Sequence, residues 1–283
     1  MKLELLIFFL IFSNIFVWHS VFLTINHKGT EVYFFDVGQG SSSLIKLSNS
    51  VDILIDAGRV NDVTYWLERA LAPTDKYIDL AILSHPHLDH YGGFIDILRN
   101  YEVGVFIYNG EKSDSLAYQE LEKELKISET KTIVLKEGDR IKYAGNYLEV
   151  LSPSESLRQN KRTSVNDNSL VKLFQNKDGS LLFTGDISLK IFRKILDKYD
   201  NLNIDFLKVP HHGSRSGMDE NILQRISPSF ALISVGQKNP YGHPSKEIID
   251  FLEKLKIRYF RTDQYGSVKL LMENKTMEVF RLK

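Results

Sequence analysis

Ser84-His85-Pro86-His87-Leu88-Asp89-His90-Tyr91-Gly92-Gly93 follows directly on the apolar run Asp79-Leu80-Ala81-Ile82-Leu83. The run reads as a buried strand, so the three imidazoles and one carboxylate sit where a strand gives way to a helix. Buried without partners these groups would be costly, whereas a divalent cation satisfies all of them at once. The stretch therefore reads as a metal site. His85 and His87 are two apart at the end of an extended segment, which puts both rings on one side. Asp89 and His90 come after the turn and address a second position.

Working outward, the remaining chemistry falls into the same context. His211-His212 and His243 each follow an apolar strand-like run and precede a helical pattern, and so does Asp186 in Phe183-Thr184-Gly185-Asp186. Two neighbouring cations need a bridging anion, and Asp186 is the best placed for it. Its competing role is N-cap of the helix that starts near Ser188. Of two adjacent histidines only one is expected to enter a coordination sphere, which selects His212. That leaves His211 to orient or donate to substrate. His243, between Gly242 and Pro244, is either a substrate contact or a structural turn residue.

Strands are expected at Glu31 to Val37, Ser42 to Leu47, Val51 to Asp56, Val103 to Tyr108, Asp205 to Val209 and Phe230 to Val235, with more between Thr132 and Leu151. A hairpin is expected around Asn176-Lys177-Asp178-Gly179. Helical spacing covers Asn61 to Leu71 (capped by Asn61 or Asp62), a segment starting near Gly92-Gly93, Ser115 to Lys126, Ser188 to Lys198, Asp219 to Ile226 and Ser245 to Leu255. Leu157 to Asn166 reads as an exposed polar loop. Strands, then strands mixed with helices, twice over, suit two sheets covered outside by helices, an α/β (α+β) sandwich.

The 283 residues include no cysteine, which excludes disulfides, thiolate metal sites, iron–sulfur clusters and cysteine nucleophiles. Any metal is held by nitrogen and oxygen. Net charge is zero, but residues 1–150 carry −7 and residues 151–283 carry +7. A basic second half suits a polyanionic partner, the alternative being scatter of charge over a mixed surface. Leu5 to Leu23 is a run of nineteen uncharged residues, long enough to cross a bilayer. Residues 1–28 are therefore expected to form an uncleaved membrane anchor, with a cleaved signal segment as the alternative, and residues 29–283 one domain.

His85-x-His87-x-Asp89-His90, with Asp186 and His212 later in the chain, resembles the fingerprint of the metallo-β-lactamase-fold hydrolases. The resemblance narrows to the hydrolase domain of the DNA-uptake competence protein ComEC and its relatives. It rests on Phe35-Asp36-Val37-Gly38-Gln39-Gly40, Ile55-Asp56-Ala57-Gly58, Ser84 to Gly93, Asn166-x-Asn168-Ser169-Leu170-Val171, Phe183 to Asp186, Val209-Pro210-His211-His212-Gly213-Ser214 and Tyr241-Gly242-His243-Pro244-Ser245, over about residues 31 to 272. It implies a four-layer αββα sandwich, here preceded by the one N-terminal hydrophobic helix expected from Leu5 to Leu23. It also implies two divalent ions, zinc or manganese, one on His85, His87 and Asp186 and one on Asp89, His90, Asp186 and His212.

Two departures stand out. Where many members of the wider superfamily have a further histidine, this chain offers Asn166, Asp167 and Asn168, so Asn166 and Asn168 are candidate metal or substrate contacts. Complete ComEC proteins also carry a large membrane channel, so a separate channel protein would be a partner. The activity implied is a phosphodiesterase or nuclease acting on single- or double-stranded DNA, with Asp89, Asp186, His211 and His243 closest to the chemistry. The expected location is membrane-anchored with the hydrolase domain extracytoplasmic, or secreted. A phosphorylcholine-type or other small-molecule phosphodiesterase, or a tethered nucleic-acid binding module without cleavage, are the alternatives.

Overall fold

A computed structural model describes residues 2–25, 29–48, 51–60, 62–200 and 202–282. The N-terminal helix α1 (Lys2–Ile25) is present, and the large apolar side chains between Leu5 and Trp18 are all exposed. Among the described residues no helix is long and apolar enough to cross a membrane.

The domain opens on β1 (Thr30–Phe34), β2 (Ser42–Leu47) and β3 (Val51–Ala57), followed by α2 (Asp62–Ala70), β4 (Tyr77–Ile82), α3 (Leu88–Asn100), β5 (Glu102–Tyr108), α4 (Leu116–Ile127) and β6 (Lys131–Val134). The second half holds β7 (Arg140–Tyr143), β8 (Asn146–Ser152), α5 (Glu155–Gln159), a 3-10 turn (Asn166–Asn168), β9 (Val171–Asn176), β10 (Gly179–Phe183), α6 (Leu189–Lys198), β11 (Phe206–Lys208) and a second 3-10 turn (Pro210–Gly213). It ends with α7 (Glu220–Ile226), β12 (Phe230–Ile233), α8 (Lys246–Lys254), β13 (Arg258–Arg261), α9 (Thr262–Tyr265), β14 (Val268–Glu273) and β15 (Thr276–Arg281).

The strands form two sheets, β15-β14-β1-β2-β3-β4-β5-β6 and β13-β12-β11-β10-β9-β8-β7. Period-two alternation decides what each face buries. In β3, Ile53 and Ile55 join the core between the sheets, while Leu54 and Ala57 join the core under α2, α3 and α4. In β10, Leu181 and Phe183 face the first sheet, and Leu182 packs with α6, α7 and α8. Three cores thus separate four layers, helices, sheet, sheet and helices, as expected. β3 to β6 run parallel, and so do β10 to β13. The loops leaving the C-terminal ends of the central parallel strands carry the candidate site residues, the usual place for a site in such sheets.

Several local expectations shift. α3 starts at Leu88 rather than near Gly92, because the extended His87 (φ −95°, ψ 143°) closes the first turn by accepting from the His90 and Tyr91 amides at 2.9 and 3.1 Å. Asp89 and His90 therefore ride on the first turn of a helix and not on a loop. The polar segment after β8 contains the one-turn helix α5, capped by the Ser154 hydroxyl on the Leu157 amide at 3.2 Å. Asn61, one of the two expected caps of α2, lies outside the described residues.

Candidate metal centre

The site is built on Asp56, at the end of β3. This buried carboxylate accepts from the Ser84 amide at 2.7 Å, from the Ser84 hydroxyl at 2.9 Å and from His90 Nδ1 at 2.9 Å. The Ser84 hydroxyl in turn lies 3.0 Å from His85 Nδ1. One carboxylate therefore fixes two imidazoles, one directly and one through a serine. On the opposite side His212 Nδ1 meets the Ser234 carbonyl at 2.8 Å. In each ring the Nδ1 side is engaged, which leaves Nε2 to face inward.

Those inward atoms converge. His90 Nε2 and His212 Nε2 each lie 3.4 Å from Asp186 Oδ2, and His212 Nε2 lies 3.3 Å from Asp89 Oδ2. Among the described residues two groups have ligand atoms all within 4.8 Å of one another, His85 with His90 and Asp186, and Asp89 with His90 and His212. His87 belongs to neither group. Its ring lies 4.8 Å from that of His85, and it lines the adjoining cavity. His90 is thus shared between two groups that the sequence pattern had kept apart.

A test of fit for metal ions comes from hydrogen bonding. His85 Nε2, His90 Nε2, His212 Nε2 and Asp186 Oδ1 are buried and have no hydrogen-bond partner. Buried polar atoms are nearly always paired, so four orphans within two adjoining ligand groups are what a cation-binding site requires. The donors are nitrogen and oxygen alone, which suits zinc or manganese. Residues and metal fit.

The protein charges alone already polarise the site. Burial opposes the imidazolium of His90, yet the carboxylates of Asp186 and Asp56 outweigh it and hold His90 well above its ordinary value. For Asp186 burial acts upward, but His90 and His212 hold the carboxylate well below the usual range. His85 is kept neutral by burial and then by the neighbouring His90. His211 and His243 are pushed down chiefly by burial.

Local backbone choices make this possible. His211 and His212 take left-handed conformations (φ 50° and 55°), sparsely populated for residues with a side chain. Gly40 lies so close to α3 that a Cβ there would stand 2.5 Å from the Asp89 carbonyl oxygen, which accepts from the Ser41 amide at 3.1 Å. The Asp-Val-Gly-Gln-Gly turn is therefore the platform under Asp89.

A cavity of about 390 Å³ opens over these groups, lined by His87, Asp89, Asp186, His211, His212, His243 and Asn166, and also by Gln39, Arg59 and Tyr241. His211 and His243 stand with ring centres 5.9 Å apart at its wall. Asn168 is elsewhere. It lines a smaller cavity of about 210 Å³ with Asn109, Glu111 and Arg158, and its carbonyl accepts from Asn109 Nδ2 at 2.7 Å. Asp186 does not cap α6, whose N-cap is Ser188, two residues further on, and the Ser188 amide donates to Asp167 Oδ1 at 2.9 Å. Sequence reasoning quoted Asp56 and Ser84 without giving them roles, although an Asp ending a buried strand was the available signal. Tyr241 stood in the Tyr241 to Ser245 motif without a role of its own, and Arg59 carried no signal.

A family profile described as the metallo-beta-lactamase superfamily matches residues 35–237. The chain is 28% identical over 267 residues to ComE operon protein 3 of Bacillus subtilis, covering 87% of this chain and 33% of that one. It is 28% identical over 256 residues to Recombination protein 2 of Haemophilus influenzae, covering 86% and 29%. The chain thus spans about a third of the length of the curated relatives it matches. Among solved structures it is similar to Tm1679, a metal-dependent hydrolase of the beta-lactamase superfamily, at a TM-score of 0.55 and 15% identity, covering 82% of this chain and 95% of that one.

Proposed function

The chain belongs to the metallo-β-lactamase superfamily, and on that premise we propose that it is a dinuclear metal-dependent phosphodiesterase that cleaves nucleic acid, in the setting of DNA uptake. The observation that carries the reading is the pair of adjoining ligand groups, His85/His90/Asp186 and Asp89/His90/His212, under one open cavity. The competence and recombination names of the relatives support DNA as the substrate, as does the +7 charge of residues 151–283.

His85, His90, Asp186, Asp89 and His212 would hold the ions, with His87 at the cavity side of His85 and Asp186 between His90 and His212. When bound, the ions supply Lewis acidity, activating water as the nucleophile and neutralising phosphoryl charge. The chain's own residues do the rest. Asp56 and Ser84 keep the His85 and His90 rings in one tautomer with Nε2 inward. His211 and His243, neutral at pH 7 and at the cavity wall, offer ring nitrogens toward the leaving-group oxygen. Asn166 Oδ1, buried and unpartnered at the same wall, is available to a polar group of the substrate.

The test is metal analysis of the purified protein together with hydrolysis of single-stranded DNA, double-stranded DNA, RNA and a chromogenic phosphodiester, with zinc or manganese added. DNA cleavage that chelation abolishes and Asp186→Ala reduces at least a hundredfold supports the reading. Cleavage of the small diester alone would favour a small-molecule phosphodiesterase, and tight DNA binding without cleavage a binding module.

A further inference from the structure

Two residues on the walls of the cavity take no part in holding metal. Arg59, on the loop after β3, is exposed, and its guanidinium makes no hydrogen bond or ion pair with any described residue. Its backbone, in contrast, is clamped. A Cβ at Gly92 would stand 2.0 Å from the Arg59 carbonyl oxygen, and the Gly93 amide donates to the Gly58 carbonyl at 3.1 Å. The glycine pair that ends the histidine cluster thus lets the loop lie flat on α3. A rigid mount carries a free cationic fork at the mouth of the site.

The second is Tyr241, 68% exposed, whose ring stacks on His243 at 5.9 Å and 21°. Its loop is closed by Asn239, whose Nδ2 donates to the His243 carbonyl at 2.7 Å and whose Oδ1 accepts from the His243 amide at 3.0 Å. Single exposed aromatics are ordinary on protein surfaces. This one continues a file of rings that runs from Tyr241 through His243, His211 and His212 to His90 and His85. The file leads from solvent to the ligand atoms.

We infer that Tyr241 and Arg59 set the substrate specificity of this site, Tyr241 by stacking a nucleobase beside the scissile phosphodiester and Arg59 by pairing with a neighbouring phosphate. The inference rests on the nucleic-acid reading above and deepens it. An aromatic platform takes any base, since every base has a π face, and a guanidinium fork matches a phosphate with two parallel hydrogen bonds. The pair therefore selects for a nucleotide chain, single-stranded at the point of entry, without reading its sequence.

The experiment uses the full chain loaded with manganese. It compares a single-stranded DNA 12-mer, an abasic 12-mer and methyl p-nitrophenyl phosphate, and adds anisotropy binding of both labelled oligomers to the metal-free protein. Tyr241→Ala is expected to raise KM and Kd for the 12-mer about tenfold or more, with Tyr241→Phe close to the parent and little change for the abasic strand. Arg59→Ala is expected to weaken both strands and to reduce the slope of log Kd against log salt by about 0.7, with Arg59→Lys restoring the slope. A parent protein that cleaves the 12-mer while Tyr241→Ala and Arg59→Ala match it overturns this inference alone. A parent that cleaves only the small diester overturns the nucleic-acid reading as well.

Discussion

His90 Nδ1 and Asp56 Oδ2 meet at 2.9 Å with both side chains buried, so the imidazole at the centre of both ligand groups is aimed by a carboxylate from the neighbouring strand. Because the same carboxylate reaches His85 through Ser84, its loss disturbs two ligands together. Asp56→Asn keeps the shape but makes one of the acceptor positions an amide donor. Outer partners of this kind are worth about 10- to 100-fold in metal affinity. Titration calorimetry with zinc or manganese is expected to show a loss in that range, with the far-UV spectrum of the folded domain retained. Parental affinity in Asp56→Asn would exclude the aiming role.

The histidine protons make metal uptake pH-dependent. Burial works against the imidazolium of His212, but Asp186 and then Asp89 raise it to about 9. A histidine raised on folding adds stability that is complete below its ordinary value near 6.5 and is lost as pH rises through about 9. Divalent ions compete for the same nitrogen, so their affinity is expected to climb over that interval and their binding at pH 7 to release protons. Calorimetry in two buffers of different ionisation enthalpy measures the release. Heats independent of the buffer would contradict it.

The glycine pair after the histidines makes a sharper structural prediction. An added Cβ would stand 2.0 Å from the Arg59 carbonyl oxygen at Gly92 and 2.1 Å from the Ala57 carbonyl oxygen at Gly93. Both neighbours are backbone and cannot rotate away. Gly92→Ala and Gly93→Ala are each expected to cost about 3 kcal/mol, at the upper end of overpacking, read as a shift in the urea midpoint with m unchanged. The loop between β3 and α2, which carries Arg59, would move with them, so Gly92→Ala is also expected to weaken whatever Arg59 binds.

The metal-bearing stretch was legible because its information is local. Three histidines and an aspartate in six positions need no tertiary contact to be noticed, and the strand periodicity around them fixed the sheets and their order of layers. What was not legible depends on contacts between distant segments. His90 appeared to belong to one ligand group, yet the early start of α3 swings it between two. Asn168 differs from Asn166 only in which side of a 3-10 turn it takes, and no composition signal records that. The N-cap of α6 is Ser188, whose amide is held by Asp167 across 21 residues of chain, a contact no local pattern records. Arg59 looks like any surface arginine until Gly92 brings its backbone onto α3.

Two lysines supply the last prediction. Lys172, Phe183 and Lys208 lie side by side across β9, β10 and β11, and alternation places all three on the inner face with Phe174 and Phe206. Both ammonium groups are buried and without a hydrogen-bond partner. Burial pushes Lys172 down to about 8, against the attraction of Asp56. A base depressed in this way destabilises the fold fully below about pH 8, and that cost disappears as pH rises to the ordinary value near 10.5. The shift corresponds to on the order of 3 kcal/mol. Asp56 already has the Ser84 amide and hydroxyl and His90, so removing the ammonium strands no partner, unlike the breaking of a tight buried pair. Lys172→Met is therefore expected to be more stable than the parent in urea at pH 7, with the difference shrinking between pH 8 and pH 10. A variant less stable by the same amount at every pH would show instead that the lysine stem is needed for packing and that its charge costs nothing.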